Sequence, residues 1–153
     1  MPNGVSRELV RQYFQACVSR DPARLAPLLH DDVRWSCWGP VDLWPYGGEH
    51  HGKPAVLDTI VRLAPAAIQL TAMKIDEIVI EGERAATLSR LSAIPAGTER
   101  VMSIRCAQFL RFSEQKLIEF RALIDSFDAA EQILGHRIDV PANGTPTGDV
   151  IVI

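Results

Sequence analysis

Arg100-Val101-Met102-Ser103-Ile104-Arg105-Cys106-Ala107-Gln108-Phe109-Leu110-Arg111-Phe112 is the stretch on which the fold turns. Period two puts Met102, Ile104, Cys106, Gln108 and Leu110 on one face and Ser103, Arg105, Ala107 and Phe109 on the other, the pattern of a strand with one buried side. Two β-rich runs precede it, Gln69 to Ile80 and Arg84 to Ile94, and one follows, Leu117 to Ile124. The separators Glu81-Gly82-Glu83, Pro95-Ala96-Gly97 and Ser113 to Lys116 carry turn residues, so the spacing predicts four consecutive antiparallel strands.

Upstream the period changes. Ser6 is placed to cap a helix in which Leu9, Val10, Tyr13, Phe14, Cys17 and Val18 recur at helical spacing until Ser19 to Pro22. Asp21-Pro22 opens a short second helix that stops near His30 to Asp32. Val33 to Trp38 reads as a strand, Gly39 to Gly52 as a long loop rich in proline, glycine and aromatics, and Lys53 to Leu63 as a third helix with Pro65 just past its end. Ser126 to Leu134 is a last short helix stopped by Gly135. Helices set before a long meander predict an α+β domain whose sheet curls around them, and a concave sheet face makes a pocket.

Composition excludes several classes. The chain has 153 residues, 47% hydrophobic and 23% charged, with a formal net charge of -3, enough for one packed domain and without a basic face for nucleic acid. No stretch approaches the roughly 18 apolar residues of a membrane span, and Met1 to Arg11 lacks a signal-peptide apolar run; a cytoplasmic location is expected. Cys17, Cys37 and Cys106 are odd in number and lack CxxC spacing, so reduced thiols are expected and neither a disulfide framework nor a metal site.

Leu9-Val10-Arg11-Gln12-Tyr13, Asp21 to His30, Asp31-Asp32-Val33 and the loop to Gly52 resemble the opening of the ketosteroid isomerase family. Gln108-Phe109-Leu110-Arg111-Phe112 and Phe120-Arg121-Ala122-Leu123 resemble its final two strands. The chain is similar over Ser6 to Gly135 to the wider SnoaL-like group of the nuclear transport factor two superfamily. That resemblance implies a cone-shaped, antiparallel-rich curved sheet wrapped around N-terminal helices, a cystatin-like α+β barrel. It divides the chain into a domain over 6–135 and, over 136–153, a tail or an added edge strand ending in Val150-Ile151-Val152-Ile153.

The resemblance also bears on chemistry. In the isomerase a tyrosine and a neutral carboxylic acid donate to a developing oxyanion while an aspartate moves the proton. Tyr13 stands at the tyrosine position, Cys37 at the base position and Gln108 at that of the neutral acid. A glutamine amide still donates, whereas a thiol needs a nearby charge or imidazole, such as His50 or His51, to become a useful base. Asp125 resembles one aspartate of the limonene epoxide hydrolases, but the Arg-x-Asp half falls near Cys106-Ala107-Gln108. In SnoaL-like polyketide cyclases a single pocket aspartate does the acid/base work, and Asp125 is the position that matches it.

Each candidate has a second reading. Gln108 is a pocket group or a buried amide satisfied by its neighbours. Asp125 is a pocket acid/base or the cap of the last helix, and the tyrosine hydroxyl of Tyr13 points into the pocket or to another partner. His50 and His51 are ligand contacts or solvent-facing loop residues. Trp35 shares the inward parity of Cys37, and Trp44 and Tyr46 are placed to cap a pocket or to meet a second subunit.

The expected site therefore has Asp125, Tyr13 and Gln108 as catalytic groups and Trp35, Cys37, Trp44, Tyr46, His50 and Cys106 as pocket lining, with no metal and no cofactor. The expected function is binding of a small apolar or planar molecule by a homodimer, with cofactor-free isomerase, cyclase or hydrolase chemistry on a carbonyl or polyketide-like substrate. The alternative is a non-catalytic ligand-binding or accessory dimerisation domain.

Overall fold

The computed structural model describes residues 4–40 and 43–140. Ser6 Oγ accepts from Leu9 N at 3.0 Å and starts α1 (Arg7–Ser19), whose buried stripe is Leu9, Val10, Tyr13, Phe14 and Ala16. Arg20 ends it in the left-handed region at φ 54, its N–H returning to the carbonyls of Ala16 and Cys17. Asp21 caps α2 (Pro22–Leu25), accepting from Ala23 N at 2.9 Å, and one 3-10 turn (Ala26–Leu28) leads into β1 (Leu29–Trp38). β1 begins earlier than the sequence suggests, because Leu29 and Val33 are fully buried and continue the strand's inner face.

Inside the long loop lies β2 (Gly48–His51), which its polar Gly-Glu-His-His sequence hides from any propensity argument. The third helix also departs from expectation. It runs as α3 (Lys53–Asp58), a π-helical segment (Thr59–Leu63) and α4 (Ala64–Ala67), so Pro65 lies within it rather than beyond its end. The wide turn immediately precedes Pro65, whose ring and missing N–H would disrupt a regular α-helical turn there.

β3 (Ile68–Glu81), β4 (Arg84–Pro95), β5 (Met102–Ser113) and β6 (Lys116–Ile124) form the predicted antiparallel meander, followed by α5 (Ser126–Leu134). The six-stranded sheet has the order β2-β1-β6-β5-β4-β3, with β1 parallel to β6. Two register shifts in β3, between Leu70 and Ala72 and between Ile75 and Glu77, bend the long hairpin, as bulges do. The result is an α+β cone: a curved, mostly antiparallel sheet closing over α1 and the α3–α4 segment. No helix among the described residues is long and apolar enough to cross a membrane. Residues 136–140 carry no regular structure, and the expected tail or edge strand otherwise lies outside the described residues.

Candidate functional site

Pairing register decides what the cone encloses. Thr87 is opposite Gln108, Gln108 opposite Ala122 and Ala122 opposite Cys37, so one row of inward side chains crosses four strands. The next row holds Ser89, Cys106 and Ile124. Above these rows, against α1 and the α3–α4 segment, is a cavity of about 120 Å³. Its buried walls include Tyr13, Trp35, Trp44, Tyr46, Cys37 and Cys106. Its half-buried wall residues, Cys17, Arg20, Ala64, Pro65, Leu70 and Met73, gather where the end of α1 faces α4 and β3, which identifies the mouth.

Gln108 is 2% exposed, and its Oε1 accepts from Thr87 Oγ1 at 2.6 Å and Ser89 Oγ at 2.8 Å. Both readings of Gln108 thus hold together: the carbonyl end is satisfied inside the sheet, and the amide group remains on the cavity wall as a donor. Tyr13 also lines the cavity, but its hydroxyl is engaged. Trp35 Nε1 donates to it at 3.2 Å, and the Cys17 thiol lies within hydrogen-bonding reach. Burial first, then the neighbouring Cys17, pushes the Tyr13 phenol well above its ordinary pKa.

Trp35 stacks on Phe120 with ring centroids 5.5 Å apart, which fixes the indole that holds Tyr13. Trp44 and Tyr46 pack with centroids 5.1 Å apart and enter the wall from the loop. Trp44 Nε1 is fully buried beside the Tyr46 hydroxyl, which is its neighbouring acceptor although the pair falls short of good hydrogen-bond geometry. An indole N–H can only donate, so the Tyr46 oxygen accepts and its own proton stays available.

Two expected residues are elsewhere. Asp125 does not line the cavity. Ile124 is the last inward residue of β6, so the next position turns out, where Asp125 Oδ2 meets Arg105 Nη2 at 2.7 Å and Oδ1 accepts from Asp128 N as the cap of α5. The Arg105 hydrogen bond, then the Asp128 backbone N–H, holds its carboxyl below the usual aspartate value, the opposite of a proton shuttle poised near neutrality. His50 is likewise absent from the lining. Its ring pairs with Tyr46 O at 2.9 Å and Thr59 Oγ1 at 3.3 Å and packs against Trp35.

Among the described residues the cavity lining therefore includes neither a carboxylate nor an imidazole. Burial pushes the Cys37 and Cys106 thiols up to about 12, which keeps them neutral. The described residues contain no group of three or more His, Cys, Asp or Glu side chains able to hold a metal ion. Among the described residues the site offers an apolar body, neutral donors at Tyr46 and Gln108, and one cation at the mouth, Arg20. Neither Arg20 nor the Thr87–Ser89 pair was legible as part of the site. Thr87 and Ser89 need the register to be known, and Arg20 reaches the mouth across 50 positions of chain to Leu70.

A family model described as the SnoaL-like domain matches residues 10–120, and the chain belongs to the SnoaL-like family of the nuclear transport factor two superfamily. No curated protein matches it. Among solved structures it is similar to a candidate isomerase from Rhodopseudomonas palustris, at 29% identity over 86% of this chain and 100% of that one, with a TM-score of 0.77. A hypothetical protein from Catenulispora acidiphila, solved with trimethylamine and described as having a ketosteroid isomerase-like fold, shares 17% identity over 93% of this chain and 100% of its own, TM-score 0.72. An epoxide hydrolase from M. tuberculosis resembling limonene epoxide hydrolase shares 15% over 84% and 88%, TM-score 0.68. The last two likenesses concern the fold alone.

Proposed function

We propose that this protein binds a small apolar molecule of about single-ring size and meets one hydrogen-bond acceptor of it with Tyr46, supported by Gln108, without acid/base turnover. The observation that carries this reading is the almost wholly apolar cavity wall, to which Tyr46 and Gln108 bring neutral polar groups and no described residue brings a carboxylate or imidazole. A dry cavity of about 150 Å³ accommodates benzene, so one of about 120 Å³ suits a single ring. Isomerase, cyclase or hydrolase chemistry by proton transfer needs a base within reach of the substrate, and the neutral thiols are poor ones at pH 7.

Acetophenone and ethylbenzene test the reading, because they differ chiefly in one carbonyl. Calorimetry should find acetophenone about fivefold to tenfold tighter, with the difference largely erased in Tyr46→Phe. Equal binding of the two by the unaltered protein would overturn the role of Tyr46. Binding of neither would overturn the reading as a whole.

The outer sheet face supports a homodimer. Leu88 (50% exposed), Leu123 (53%) and Trp38 (47%) lie in one register row through Ala107, making an apolar strip across four strands. Leu123→Lys should convert a dimer into a monomer in light scattering; a protein already monomeric at micromolar concentration would remove the proposal.

A further inference from the structure

The mouth of the cavity carries a feature that binding of a neutral hydrocarbon does not require. Arg20 is the one charged side chain among the described lining residues, and it is half-buried there. Its position is fixed at both ends. The backbone closes α1 in a left-handed conformation, and Nη1 donates to Leu70 O at 3.0 Å. Leu70 belongs to β3, an edge strand of the sheet, so covering that carbonyl is a structural task, but it occupies one of the five guanidinium donors.

No carboxylate forms an ion pair with Arg20 among the described residues. The nearest acid in sequence, Asp21, is committed to Ala23 N as the cap of α2, and Asp76 is paired with Lys74 at 3.4 Å. Arg62, Arg105, Arg111 and Arg121 have carboxylate partners, and of the arginines without one among the described residues Arg20 is the one that lines this cavity. A guanidinium anchored through one N–H, half shielded from water and facing apolar walls is suited to a ligand oxyanion, because charge-assisted pairs are stronger and more directional where water is thinned.

We propose that Arg20 makes the cavity selective for compact monocarboxylates, the carboxylate resting on its guanidinium at the mouth while a single-ring or short aliphatic body fills the space towards Trp35 and Phe120. The inference rests on the ligand-binding reading above and adds the charge of the ligand. Met73 and Pro65 flank the same opening with apolar surface, which leaves the guanidinium as the group there that distinguishes an anion from its neutral counterpart.

The test compares 3-phenylpropanoate with 3-phenylpropanamide, which share body, length and a carbonyl acceptor and differ in charge. Titration calorimetry on the full chain at pH 7 and low salt should show the carboxylate about tenfold tighter, a preference that shrinks as salt is raised. Arg20→Gln should bring the two ligands to within about threefold of each other, while Arg20→Lys keeps part of the preference because the charge remains. Thermal melts of both variants establish that they are folded, and the lysine variant carries the comparison if the glutamine variant is not. Equal affinities in the unaltered protein, tighter binding of the amide, or an undiminished preference in the folded glutamine variant would each overturn the role of Arg20 and leave the binding reading intact. Failure of both ligands to bind would overturn both.

Discussion

The two faces of the same three strands are chemically opposite. On the concave face β1, β5 and β6 present Trp35, Cys37, Ile104, Cys106, Gln108, Ala122 and Ile124, all buried and all neutral. On the convex face the interleaved residues are Arg105, Phe109, Arg111, Glu119, Arg121 and Leu123, with ion pairs at 2.7 Å (Arg105 to Asp125), 3.1 Å (Arg111 to Glu119) and 3.2 Å (Arg121 to Glu119). The titratable chemistry of this sheet lies outside, one residue step away from the cavity. A one-residue offset in a strand changes a candidate general acid into a helix cap.

The sharpest way to break the comparison is to look for a hidden base inside. With Cys37 and Cys106 raised from 9.0 to about 12, the thiolate fraction falls about a thousandfold, and alkylation by iodoacetamide at pH 8 should slow by about that factor relative to free cysteine. Rates near those of the free thiol would mean that the interior stabilises an anion.

Packing gives the next contrast. Phe112, 1% exposed, and Phe109, 46% exposed, lie three positions apart on β5. Phe112→Ala should cost about 3–5 kcal/mol in urea unfolding, whereas Phe109→Ala should cost no more than about 1 kcal/mol. A large cost at Phe109 that grows with protein concentration would instead place a second subunit on the outer face.

Gln108 probes the polar part of the concave face. Gln108→Leu strands the buried Thr87 and Ser89 hydroxyls and should destabilise by about 2 kcal/mol, most of which returns when Thr87→Val and Ser89→Ala are added. A triple variant no more stable than the single one would mean that shape, rather than hydrogen-bond satisfaction, sets the cost.

The smallest effect belongs to Asp125. Its folded carboxyl is held below the ordinary 3.8 by Arg105, so the stability from this pair is present above that value and is lost as pH falls through the lower folded value. The melting-temperature gap between the unaltered protein and Arg105→Met should be visible at pH 6 and close in the acid range below 3.8, and Asp125→Asn should leave ligand affinity unchanged. A loss of binding in Asp125→Asn would return that residue to the site.

How far the sequence could be read follows from the range of the interactions involved. Ser6, Asp21 and Asp125 cap helices within three positions of themselves, and the period-two faces of β5 and β6 are local patterns, so the helix starts and the meander were legible. Tyr13, Trp35, Trp44 and Tyr46 were legible as wall residues from parity and composition. The parallel pairing of β1 with β6, the Thr87–Ser89 support of Gln108 and the reach of Arg20 to Leu70 depend on contacts between distant segments, which no local pattern encodes. Asp125 shows the reverse error: its outward parity with Leu123 and Arg121 was readable, and the family likeness argued against it.

The helical wall of the cavity, finally, is built differently from the sheet wall. Ile60, Ala64 and Pro65 border the cavity from the π-helical turn and the short helix after it, where Ala64 N–H reaches back five residues to Thr59 O and Pro65 has no N–H to give. The opposite wall is cross-linked by continuous strand ladders on both sides of β5. Hydrogen-bond support of the two walls is thus unequal. The sheet side sets which polar groups a guest meets, and the wide turn before Pro65 sets how far the helical side stands from it.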